Sequence, residues 1–168
     1  MSELDVSRLS PSDASAALRS YPRRYAALLR PIKDDEDVEA LAHRVGVEGR
    51  SPIDIVSDVT RTLVLLSEAL HQITVNPTPV LHPAAADAAQ RQWESPPPEQ
   101  LAEVLTLFAD QSTALADQID RVSAKEWTRT GTVAGGDSLS AIDVVRDAVR
   151  TGRAGLTDVE RTLGELRR

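Results

Sequence analysis

Ser51-Pro52-Ile53-Asp54-Ile55-Val56-Ser57-Asp58 opens the longest clear helix of the chain, and its reading decides the fold. The Ser51 hydroxyl predicts an N-cap, and Pro52 suits the first helical position because its missing N–H had no helical partner to lose. Asp54 falls three residues past the cap, near the positive end of the helix dipole. From there Ile53, Val56, Val59, Leu63, Leu66, Leu70 and Ile73 recur at steps of three and four, and Ile55, Val64 and Leu65 widen the stripe. A stripe this wide predicts a helix central to a bundle, running to about Val75, or roughly 36 Å at ~1.5 Å per residue.

The rest of the composition agrees with a helical core. The 168 residues are enough for one domain, 1–168, and 41% hydrophobic with 27% charged residues is ordinary for a globular protein. One Phe, two Tyr and two Trp leave Leu, Val, Ile and Ala to build the interior, which favours helix packed on helix. A formal charge of −7 argues against nucleic acid as a partner, because phosphate-backbone affinity comes from clustered Lys and Arg. No stretch reads as a membrane span or a signal peptide, so a cytoplasmic protein is expected. The absence of cysteine removes disulfides, thiolate metal sites and cysteine nucleophiles together.

In chain order, residues 1–9 read as a loose lead-in. Ser10, Pro11 and Asp13 then open a helix carrying Ala17, Leu18, Tyr21, Tyr25, Leu28 and Leu29 on one side, with a bend expected near Arg19 because Pro22 lies inside it. Pro31 marks its stop. Asp34-Asp35-Glu36-Asp37 reads as the solvated start of a short helix through Val45, since the ligand spacing and glycine of a calcium loop are absent. Residues 76–98 hold six of the ten prolines and predict a long crossover, with one short helical piece at 84–93. A third long helix follows from about Pro98 to Val122, with Leu101, Val104, Leu105, Phe108, Leu115 and Ile119 inward. Residues 123–137 form a polar connector with a Gly135-Gly136 turn, and the last helix starts at Ser138 or Ser140. Its apolar line runs through Gly152, a position that would let a neighbour approach closely. The run Asp58 to Leu63 is echoed by Asp158 to Leu163, too short a match to establish a repeat.

Trp127-Thr128-Arg129-Thr130-Gly131, then Gly135-Gly136, then a long amphipathic helix ending Leu156-Thr157-Asp158-Val159, resembles the DinB-like superfamily, in particular its branch with mycothiol-dependent maleylpyruvate isomerases. The Ser51-Pro52 helix start and Tyr21-Pro22-Arg23-Arg24-Tyr25 fit the same family. The resemblance covers most of the chain and implies an all-α, DinB-like four-helix bundle with a long proline-rich crossover between its second and third long helices. Active members resemble one another in three metal-binding histidines, one in the second long helix and a His-x-x-x-His pair in the last. Two imidazoles four apart share a helix face, and a third from a facing helix completes an open site that activates a thiol or water.

Carried onto this chain, the first position falls on Asp58, and the pair, counted from Trp127, on Arg150 and Ala154. A guanidinium stays protonated and a methyl has no donor, so no metal and no cofactor is expected there. The sharp expectation is that Asp58 and Arg150 face each other and form an ion pair in place of the metal. The plain alternative has Arg150 reaching to solvent and Asp58 on the helix surface.

The other groups add little chemistry. Glu68 and His71 form one Glu-x-x-His unit without the second copy that di-iron bundles use, while His43 and His82 read as exposed. Trp93 and Trp127 could line a pocket at the end of the bundle, with Arg129 holding an anion at its rim, although Trp127 as a plug of the core is the stronger reading. These residues point to a degenerate metal site in a non-catalytic protein that binds an unknown small molecule or self-associates, with a homodimer possible. The rival is a mycothiol- or other thiol-dependent transferase or isomerase with an atypical metal or none.

Overall fold

The computed structural model describes residues 5–93 and 95–168. Four long helices carry the structure: α1 (Pro11–Leu28), α3 (Pro52–Val75), α4 (Leu101–Arg121) and α5 (Ala141–Leu166), with a short α2 (Val38–His43) between the first two. Each of α1 and α3 packs against both α4 and α5. The all-α four-helix bundle is therefore the observed architecture, and α3 begins at Pro52 behind a Ser51 cap, as its sequence requires.

Contacts between helices set their directions. Tyr21 and Tyr25 of α1 reach the Val149 and Gly152 carbonyls of α5, so these two helices run parallel. Ser15 reaches Ala116 while Ser112 reaches Leu18, so α1 and α4 run antiparallel. Gly46, just before α3, lies against Thr162 near the end of α5, whereas Ile73 lies against Gly131 just before α5. The second pair is antiparallel too.

Capping explains where the helices begin. Ser10, Ser51 and Ser140 each accept from the backbone N–H three residues on, and at the first two the Asp side chain answers in a reciprocal capping box. Gln100 gives α4 no side-chain cap, and the Glu39 carboxylate of α2 takes the Leu101 N–H instead, at 3.0 Å. Inside α1, Pro22 continues the helix without a break. Its ring leaves the Leu18 carbonyl without the usual partner, and the fully buried Ser112 hydroxyl of α4 supplies one at 2.7 Å.

Three segments differ from the sequence expectation: the lead-in, the crossover and the connector before α5. Of the lead-in, residues 1–4 lie outside the described residues, while Val6 to Arg8 form a 3-10 turn with Val6 buried. The crossover holds two 3-10 turns, Pro83–Ala85 and Ala88–Gln90, and a two-residue strand, β1 (Val80–Leu81), where one short helix was expected. Strand β1 pairs in parallel with β2 (Thr130–Val133), and β2 pairs antiparallel with β3 (Ser138–Ser140) around the Gly135-Gly136 turn. Strands this short carry no periodic signal, so the connector reads as loop. No helix among the described residues is long and apolar enough to cross a membrane.

Candidate functional site

Asp58 projects from the second turn of α3, and both of its carboxylate oxygens face arginine. Arg50, the residue before the Ser51 cap, donates to Oδ2 at 2.8 Å, and Arg61, one turn further along α3, lies 3.5 Å from Oδ1. Burial pushes the Asp58 carboxyl above its ordinary value, and the two arginines offset that only in part.

Arg150 lies elsewhere. Its side chain is 61% exposed and its partner is Asp147, one turn back on α5, at 3.2 Å. Ala154 also faces solvent. The expected Asp58–Arg150 ion pair is thus not formed, because counting from Trp127 through an irregular connector does not fix the rotation of α5, and both counted positions fall on its outer face. Arg150 matches the plain alternative, and Asp58 takes its counter-charge from its own end of α3.

The space between α3 and α5 at this level is filled. A Cβ on Gly155 would stand 2.5 Å from the Val59 Cγ2 and against the Tyr25 hydroxyl, and one on Gly152 would overlap the Tyr21 ring. These two glycines admit the tyrosines, whose hydroxyls donate to Val149 at 2.8 Å and Gly152 at 2.6 Å. Burial pushes the Tyr21 phenol up to about 12 and raises Tyr25 as well, so both are fixed donors at neutral pH. The ring of Phe108, 4.3 Å from that of Tyr25, closes the plug from α4.

The remaining candidates are structural. Trp127 is half-buried against the core, and its carbonyl accepts the Ile142 N–H. Arg129 donates to the Thr74 and Asn76 carbonyls at 2.8 and 2.6 Å, so its guanidinium closes the end of α3 rather than an anion pocket. His82 accepts the Ala84 N–H, and His43 bonds the Glu99 carbonyl at 2.7 Å.

What the sequence reading missed is a second copy of the Asp58 arrangement. Asp147 on α5 faces Arg150 three residues on and a second arginine, Arg91 of the crossover, at 2.5 Å. The signal was present: Ser51 to Thr62 and Ser140 to Thr151 share Ser-x-Ile-Asp-x-Val-x-Asp-x-x-Arg-Thr, seven identities in twelve positions. In both helices the serine caps, the first Asp sits at the third helical position and the second Asp bridges two arginines. The Asp58 and Asp158 echo is shorter and lacks this shared geometry.

No family model matches the chain, and no curated protein does. Among solved structures, YfiT from Bacillus subtilis, described as a probable metal-dependent hydrolase with an unusual four-helix bundle topology, matches with a TM-score of 0.67. The match covers 98% of this chain and 93% of that one, with 11% of residues identical. The chain has the YfiT fold. At that identity, the likeness to YfiT extends to the course of the backbone. The donors that a metal would need do not follow: among the described residues, no three His, Asp or Glu side chains gather where they could hold an ion. Asp58 does not fit a dication either, since two guanidinium groups already occupy its oxygens.

Proposed function

We propose that this chain is a DinB-like bundle whose metal position has been refitted with a structural ion-pair cluster, and that it works in the cytoplasm as a non-catalytic small-ligand binding protein. The observation that carries this reading is the engagement of both Asp58 oxygens by Arg50 and Arg61. Further support comes from the packing beside it, where Tyr25, Val59 and Gly155 leave no room for a coordination sphere.

The deciding experiment incubates the purified chain with zinc, nickel and iron, desalts it and counts retained metal. Less than a tenth of an equivalent is the expected result. Retention near one ion per chain, lost in Asp58→Ala, supports the rival reading of a metal- or thiol-dependent enzyme. The description of YfiT as a probable metal-dependent hydrolase is what keeps that rival in view. Self-association through a homodimer is a separate proposal, tested by sedimentation across a concentration series.

A further inference from the structure

Between the crossover and the first three turns of α5 lies a cleft of about 360 Å³, well away from Asp58. One wall is a ladder on α5 formed by Asp143, Arg146, Asp147 and Arg150, at helical steps of three and four. The lining also includes the apolar side chains of Ala86 and Ala88 of the crossover and Leu139 of β3.

The charges on the ladder balance, two arginines against two aspartates, but the donors of its arginines are not all used. Asp147 is matched on both oxygens, by Arg91 at 2.5 Å and Arg150 at 3.2 Å. The Arg91 guanidinium is consumed, since it also donates to the Ala84 and Ala85 carbonyls and its side chain is 9% exposed. Arg146 uses only its Nε, on the Leu9 carbonyl, and Arg150 only its Nη1, so donors of both forks stay uncommitted. The lining holds three arginines against two aspartates, and the Asp5 carboxylate acts on Arg146 as well, so the cleft as a whole carries no net charge. What the cleft offers an anion is the free guanidinium donors of Arg146 and Arg150 beside the Ala86, Ala88 and Leu139 side chains, which suit an acid with a hydrocarbon body.

We infer that this cleft is a binding site for a small organic carboxylate with a short apolar tail. Arg146 and Arg150 hold the carboxylate through charge-assisted hydrogen bonds, and the tail lies along Ala86, Ala88 and Leu139. Arg91, through Asp147, fixes Arg150 and the crossover wall in one geometry. The inference rests on the binding-protein reading for its purpose, but its test reads ligand occupancy rather than metal, so the two fail separately.

The test titrates the ¹⁵N-labelled full chain with sodium hexanoate at constant ionic strength, with hexylammonium and inorganic phosphate as comparison ligands. Hexanoate should shift the amide signals of residues 85–88 and 143–150 saturably, and hexylammonium should not. Arg150→Gln, an exposed site whose loss leaves the Arg91–Asp147 pair intact, should weaken binding about tenfold, the equivalent of one charge-assisted hydrogen bond. Ala88→Trp, which fills the cleft and leaves its charge alone, should abolish it. The inference is overturned if hexanoate gives no saturable shift, if both variants bind like wild type, or if phosphate binds as tightly as hexanoate.

Discussion

The Ser112 hydroxyl of α4 donates to the Leu18 carbonyl of α1, the group that Pro22 deprives of its helical partner. A proline inside a helix normally carries an unsatisfied carbonyl into the core, and here the neighbouring helix repairs it. Ser112→Ala should therefore cost about 1–3 kcal/mol, the penalty of a buried acceptor left alone. Pro22→Ala restores an N–H beneath Leu18, so the double variant should recover most of that loss. Denaturant unfolding of the two single variants and the double one checks this, and strictly additive losses would refute the pairing.

A second close contact sets a volume limit. Gly155 sits where a Cβ would meet Val59 Cγ2 at 2.5 Å and crowd the Tyr25 hydroxyl. Alanine in place of glycine would gain about 1 kcal/mol of helix propensity in open space. Here overpacking should reverse the sign, for a net loss of about 1–3 kcal/mol. Tyr25→Phe removes the crowded oxygen, so Gly155→Ala should be less costly in that background, which a double-mutant cycle by thermal or denaturant unfolding measures.

The starts of α1, α3 and α5 were legible because each rests on a local pattern: a serine cap, an aspartate three residues on, and, in α1 and α3, a proline at the first position. Gly152 was legible as a point of close approach because it interrupts an apolar line, and Tyr21 is what approaches. The pairing of Asp58 was not legible. Its partners are Arg50, which lies outside the helix, and Arg61, and helical phase could not be carried from Trp127 across the turn to Arg150. Arg91 was invisible for a different reason: its place depends on how a proline-rich crossover folds back onto α5.

Asp58 gives a pH-dependent expectation. Burial raises its carboxyl above the ordinary value of 3.8, so the folded chain holds that proton more tightly than the unfolded chain. The stability it contributes is complete below the ordinary value and is lost as pH rises through the folded value. Relative to Asp58→Asn, the wild type should gain stability on acidification from about pH 7 to pH 3. At neutral pH the two should lie within about 1 kcal/mol, because the ion pairs with Arg50 and Arg61 are partly solvated. Parallel urea titrations at several pH values decide it, and a wild type that instead loses ground on acidification would show that the arginines outweigh burial.

Arg91 and Arg150 share one carboxylate and should behave in opposite ways. Arg91 is nearly buried and ties two crossover carbonyls and Asp147 together, whereas Arg150 reaches solvent from the other side of the same carboxylate. Replacing Arg91 with methionine keeps the apolar stem but strips Ala84, Ala85 and Asp147 of their donor, which should cost about 2–3 kcal/mol. Arg150→Ala should change stability by less than about 0.5 kcal/mol. Hydrogen exchange separates the two at residue level. Amides of residues 85–91 should lose protection in the Arg91 variant ahead of any change in α1 or α4, because the crossover is attached to α5 through this guanidinium. Equal protection in both variants would mean that the crossover is held by its apolar contacts alone.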